Sequence, residues 1–222
     1  MIVSVHIPKT AGTGFGKFLS KAFKDKFLYV YDSCFKCGRF VIAENFLQLG
    51  QVLNDCTRHV DRDRLSDQLH KKECIHGHFH ASKFQYAGKV IYWLRDPVQR
   101  ALSSYYHHER HPEHHYTDIP LDKPQLFFHS TANTMSRATE GADPDFVGFT
   151  EKFNECIEIF RQKYSISENY IFGFENRNPL KDPHIKYTVD KKLIQLAKHF
   201  NQEDIALYKK MKQENELQLS GR

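Results

Sequence analysis

Hydrophobic and polar positions along this chain fall into two alternating periods. Short runs that are almost wholly apolar, such as Ile2-Val3-Ser4-Val5 and Val90-Ile91-Tyr92-Trp93-Leu94, are rich in β-branched and aromatic residues. They read as strands buried on both faces. Between them apolar residues recur at helical spacing, as in Phe15, Phe18, Leu19 and Phe23, or Val98, Ala101, Leu102 and Tyr105. The pattern predicts strands over 2–6, 27–31, 39–43, 74–76 and 89–95, and a further buried strand at Tyr170-Ile171-Phe172-Gly173-Phe174. Helices are predicted over 14–25, 44–52, 61–71, 97–109, 124–138, 149–163, 190–200 and 202–216, with a polar stretch over 110–123. Strand and helix in alternation predict an α/β fold, a parallel sheet covered by helices. A chain of 222 residues suits one such domain.

Two strand-to-helix junctions carry candidate chemistry. After the first strand comes Pro8-Lys9-Thr10-Ala11-Gly12-Thr13-Gly14-Phe15. A strand, a glycine-containing turn and a helix start make an anion cradle, because free amides and the helix dipole converge there. Lys9 adds a charge, and Thr10 and Thr13 add hydroxyls. The order is not that of a Walker A loop, whose lysine follows the glycines. The second junction is Arg95-Asp96-Pro97, where Asp96 suits an N-cap and Pro97 the first helical position. Arg95 offers a planar fork to phosphate oxygens, and Ser103 lies two turns into the helix. Bland alternatives are a tight turn with an exposed lysine, and an arginine that satisfies carbonyls at the sheet's end.

Both junctions resemble signatures of sulfotransferases that use 3′-phosphoadenosine 5′-phosphosulfate (PAPS), in the carbohydrate branch. The first is similar to H-x-P-K-T-x-G-T and the second to R-D-P-x-x-R-A-x-S-S. Further similar segments are Gly77-His78-Phe79 through Phe84, Asn133 through Gly141, Val147 through Phe153, and Asn201 through Tyr208. The resemblance implies a P-loop-type three-layer fold and sulfuryl transfer from PAPS to a hydroxyl acceptor, a sugar or glycoconjugate, with no metal required. It implies that Lys9, Thr10, Ala11, Gly12, Thr13, Gly14 and Phe15 hold the 5′ phosphosulfate, and Arg95 and Ser103 the 3′ phosphate. Lys9 would stabilise the leaving phosphate oxygen, and His78 would act as acceptor base. His76, His80 and Arg137 are candidate acceptor or cofactor contacts. In an extended segment alternate residues share a side, which would turn His76, His78 and His80 all to the cleft. Glu44 is a fallback base. The segment 110–148 is expected to form an acceptor-binding loop or lid. Gly14 departs from the family's usual Ser or Thr and removes one hydroxyl donor.

A net charge of +5, from 32 basic and 27 acidic residues, suits anionic ligands and is too small to point to nucleic acid. No run approaches the roughly 18 apolar residues of a membrane helix, and no charged-then-apolar leader precedes the first strand, so a cytoplasmic enzyme is expected. Among five cysteines, Cys34 and Cys37 have metal-pair spacing without a second pair, and free thiols are the default. His107, His108, His111, His114 and His115 read as a solvated helix end or part of an acceptor site rather than a metal centre. Two rival functions remain: a Mg-dependent phosphotransferase with Asp96 near the metal, and a non-catalytic nucleotide-binding protein.

Overall fold

The computed structural model describes residues 1–32, 39–53, 59–111, 121–167 and 190–220. Its centre is a six-stranded sheet in the order β3-β2-β4-β1-β5-β6. The strands are β1 (Ile2–Val5), β2 (Phe27–Asp32), β3 (Phe40–Ala43), β4 (Cys74–Gly77), β5 (Lys89–Leu94) and β6 (Phe146–Phe149). All neighbouring pairs are parallel except β2 with β3. Every residue of β1 and β4 is buried, as continuous apolar runs in a parallel sheet require. The flanking helices are α1 (Gly12–Phe23), α2 (Phe46–Leu53), α3 (Arg62–Leu69), α4 (Pro97–Arg110), α5 (Pro124–Ser130), α6 (Thr134–Thr139), α7 (Phe153–Lys163), α8 (Lys191–Phe200) and α9 (Gln202–Ser220).

α1 packs on β2 and β4, and its apolar stripe of Phe15, Phe18 and Leu19 is fully buried. Phe15 meets Trp93 of β5 at 5.0 Å and Phe160 of α7 at 5.2 Å between ring centroids. α4, α5 and α8 gather a second apolar cluster around Tyr105, Phe127, Phe128 and Leu193.

The structure differs from the sequence pattern in three places. The predicted helix over 124–138 is two helices, α5 and α6, separated by a turn in which Asn133 takes φ 49°. The predicted helix over 149–163 begins at Phe153, after a 3-10 turn at Thr150–Lys152. Ahead of that turn lies the unforeseen strand β6, paired with β5. The predicted strand at Tyr170–Phe174 and the Cys34–Cys37 pair lie outside the described residues. Among the described residues no helix is long and apolar enough to cross a membrane.

α4, α6 and α9 meet at a buried polar joint. Arg100 is 1 % exposed and donates from Nη2 to Asn201 Oδ1 at 3.0 Å and to the Thr131 carbonyl at 3.2 Å. Its Nε lies 3.7 Å from Asp204 Oδ2. The Asp204 carboxylate also accepts the amides of Met135 (3.1 Å) and Ser136 (2.8 Å), which caps α6 from a distant helix. Burial pulls the Arg100 pKa down to about 10, with Asp204 opposing and Arg137 and Arg95 adding to the fall. A guanidinium still charged at neutral pH thus depends on one buried carboxylate. Asp204→Ala is expected to cost about 3–5 kcal/mol, because it strands a buried charge. Urea unfolding measures the loss, and a change below about 1 kcal/mol would mean that the joint contributes little.

Candidate functional site

Parallel pairing of β1 with β4 on one side and β5 on the other puts the carboxyl ends of all three strands at one edge. The chain leaves β1 toward β2, on the β4 side, and leaves β5 toward β6, on the other side. Connections that part in opposite directions open a crevice between β1 and β5, the place where ligands enter open α/β sheets. Arg95 directly follows β5, and Lys9 lies in the turn between β1 and α1.

The turn after β1 is held in an unusual shape. Lys9 and Ala11 take φ 70° and φ 68°, left-handed values that cost a side-chain-bearing residue roughly 1–2 kcal/mol each. Two hydrogen bonds secure the turn: Thr10 Oγ1 donates to the Ile7 carbonyl at 2.9 Å, and Arg95 Nη1 donates to the Lys9 carbonyl at 3.2 Å. The N-cap residue of α1, Ala11, gives no side-chain cap, and the first turn holds no acidic residue. The Phe15 amide donates to the Ala11 carbonyl at 3.2 Å, so the amides of Gly12, Thr13 and Gly14 precede the helical ladder.

Each residue named from sequence has a definite place. Thr10 is fully buried with its hydroxyl donated to the turn, so its side chain is structural. Phe15 has its ring in the core and its amide in the helix, and offers the crevice nothing. Thr13 and Gly14 are half-buried. Lys9 is half-buried and its ammonium forms no ion pair with the described residues. Burial first, then the charges of Arg110 and Arg95, lower its pKa. Burial also lowers that of Arg95, against the pull of Glu151 and Asp96. Ser103 is half-buried on α4, and its hydroxyl makes no hydrogen bond with the described residues. Arg137 is exposed on α6 and adds positive potential toward Arg100.

The Arg95 junction is braced by residues far away in sequence. Asp96 caps α4 by accepting the Gln99 amide at 2.9 Å. Glu151 accepts the Asp96 amide at 2.7 Å and the Tyr208 hydroxyl at 3.2 Å, while Thr150 Oγ1 donates to the Leu94 carbonyl at 3.0 Å. One oxygen of the Asp96 carboxylate is thereby taken by the cap.

Beside the cradle three imidazoles stack. The His6 ring lies 4.1 Å from His78 and 5.0 Å from His76, each at 20°. His76 Nδ1 is 2.8 Å from Ser4 Oγ, and His6 Nδ1 is 3.3 Å from the Tyr31 hydroxyl. Burial drives the His76 pKa down to about 3, helped by His78 and opposed by the Gly12 backbone. His78 falls to about 4 through burial, against the His6 backbone. His6 is also held well below its ordinary value, by burial and then by His78, His76 and Lys9. All three are neutral at pH 7.

Strict alternation does not carry through 76–80, because β4 ends at Gly77. His76 is buried under α1, His78 is half-buried on the stack, and His80 starts the 3-10 turn Ala81–Lys83. Glu44 follows the antiparallel strand β3 and lies 3.6 Å from Lys72, which precedes β4. It therefore occupies the opposite edge of the sheet and is no acceptor base. The His107 and His111 rings lie 4.8 Å apart, tilted by 47°, near the end of α4, while His108 Nδ1 is bonded to the Ser104 carbonyl at 2.8 Å; His114 and His115 lie outside the described residues. Among the described residues no cluster of His, Cys, Asp and Glu is arranged to hold a metal ion.

Sequence reasoning missed His6, Thr150, Glu151 and Tyr208 as parts of this region. They lie inside the motif segments, but nothing local announces what they touch. No known protein family, curated protein sequence or solved structure matches the chain.

The glycines of α1 divide by role. A Cβ on Gly16 would come within 2.6 Å of the His76 ring, whereas one on Gly14 would meet nothing within 4 Å. Gly16→Ala is expected to cost roughly 1–3 kcal/mol by overpacking. Gly14→Ala should be neutral or stabilising by up to about 1 kcal/mol, as glycine is a poor helix former. Urea midpoints of the two variants decide this; equal effects would contradict the contrast.

Proposed function

We propose that the chain transfers a sulfuryl group from PAPS to a hydroxyl acceptor, on the P-loop-type version of its α/β fold. The observation that carries this reading is the pair of cations at the β1/β5 crevice, Lys9 and Arg95, joined through the Lys9 carbonyl in the turn that opens α1 and without an ion-pair partner among the described residues. Desolvated positive charge of this kind is completed by an anion with phosphate-like oxygens. Two cations on the segments that follow separate strands suit a ligand with two anionic groups, as in a nucleotide phosphorylated at both 3′ and 5′ positions.

In this reading the turn amides and Lys9 take the 5′ phosphosulfate, and Arg95 with Ser103 takes the 3′ phosphate. As the SO3 group passes in line between two oxygens, negative charge grows on the bridging phosphate oxygen. Lys9 stabilises that charge more in the transition state than in the ground state. His78, neutral at pH 7, accepts the acceptor hydroxyl's proton as the new S–O bond forms. The open, half-buried side of His78 is where the hydroxyl would approach. Gly14 has space for the Ser or Thr hydroxyl usual in the family. A sugar acceptor rests on the carbohydrate-type motifs alone.

A phosphotransferase would need a carboxylate free to hold Mg²⁺. Asp96 spends one oxygen on the α4 cap, which disfavours that alternative. Incubation with sulfur-labelled PAPS and a panel of sugar and phenolic hydroxyls tests the reading, with and without chelator. Transfer should be unaffected by chelator and fall about 10²–10³-fold in Lys9→Ala. Transfer from ATP that requires Mg²⁺, with none from PAPS, would replace this reading with phosphoryl transfer.

A further inference from the structure

We propose that His6 is the positioning residue of His78: its ring, laid flat on His78 and His76 in the seat left by Gly12, fixes the plane of the base and keeps water from its inner face. Naming His78 the base rests on the transfer reading; the stack itself does not.

The seat is specific. A Cβ on Gly12 would lie 1.9 Å from His6 Cδ2, so any side chain there drives the ring off its place. Gly12 therefore does two things at once: it opens the cradle, and it makes room for His6. The ring is held from several sides. Its amide donates to the Gly77 carbonyl at 2.7 Å, prolonging the β1–β4 ladder past Val5. Its Nδ1 reaches the Tyr31 hydroxyl on β2, and Tyr31 also sits edge-on to His78 at 4.8 Å. His76, the third ring, is tied to Ser4 of β1.

The groups facing His6 are His76 and His78 from β4 and the residues after it, Lys9 from the turn, and Tyr31 from β2. None is an acid. A proton on His6 would sit against His76 and His78 and near Lys9, in a place closed to water. Burial keeps His78 neutral at pH 7 with its lone pair unprotonated, and also makes it a weaker proton acceptor than an exposed imidazole. The sign follows by linkage. Unfolded, the histidines titrate near 6.5, whereas folded His78 titrates near 4. The unfolded chain therefore takes up the proton first, and stability present above pH 6.5 is lost as pH falls toward 4.

The test is NMR titration of the histidine ring carbons in the ligand-free wild-type protein and in His6→Phe, His6→Leu and His6→Ala. His78 should titrate near pH 4 in the wild type. His6→Phe, a flat ring of similar size, should leave that midpoint nearly in place, and His6→Ala should raise it by about one unit or more as water reaches the ring. His6→Leu, bulky but not flat, should fall between, and it carries the comparison with Phe should the alanine variant not fold. A His78 midpoint that ignores the loss of the ring, or that moves as far in His6→Phe as in the truncated variants, overturns the proposal. In PAPS turnover, His6→Ala should lower kcat while leaving KM for PAPS unchanged. A wild type whose His78 titrates as expected yet transfers nothing would contradict the transfer reading and leave the stack standing.

Discussion

Parallel hydrogen bonding on both flanks of β1 is the constraint on which the rest of the molecule depends. With β4 and β5 as neighbours running the same way, the residues that follow the three strands must meet at one edge. Lys9, His78 and Arg95 are separated by long stretches of chain, and only this pairing brings them to a common place. The turn between β1 and α1 then carries left-handed residues that a free peptide would avoid, held by the Thr10 hydroxyl and the Arg95 guanidinium. The backbone on either side of Arg95 is held by Thr150 at Leu94 and by Glu151 at Asp96, with Tyr208 bonded to Glu151.

Burial acts in opposite senses on the two halves of the edge. On the β1/β5 side it removes water from Lys9 and Arg95 and lowers the pKa of each. On the β1/β4 side it strips charge from His6, His76 and His78 and leaves neutral rings. A site with fixed cations beside neutral bases is suited to moving an anionic group onto a hydroxyl. In the proposed transfer the cations would hold the donor and His78 would take the proton. Lys9 belongs to both halves, since its charge also bears on His6.

Much of the sheet was legible from sequence because its strands are short, apolar and bounded by polar turns. β1, β2, β3, β4 and β5 all fall where that pattern puts them. β6 escaped because Phe146-Val147-Gly148-Phe149 carries a glycine that reads as a break; the glycine is there because a Cβ would strike the Trp93 ring at 2.7 Å. The split between α5 and α6 escaped for another reason. Nothing between Thr131 and Thr134 breaks a helix, and the cap that starts α6 is Asp204, supplied from α9. Lys9, Arg95 and His78 could be named because their motifs are local. The imidazole stack and the bracing of Arg95 could not, because both are made by residues whose neighbours in space are remote in sequence. Thr10 and Phe15 show the converse: a motif names them, yet the turn uses one hydroxyl and the core takes the other's ring.

The central claim is that the β1/β5 crevice holds a nucleotide by both ends, with Arg95 at the 3′ phosphate. Calorimetric titration of adenosine 3′,5′-bisphosphate against adenosine 5′-monophosphate, on the wild type and on Arg95→Ala, tests it directly. The wild type should prefer the bisphosphate, and Arg95→Ala should remove that preference while binding of the monophosphate persists. Equal weakening of both nucleotides, or no binding of the bisphosphate to the wild type at millimolar concentration, would contradict it.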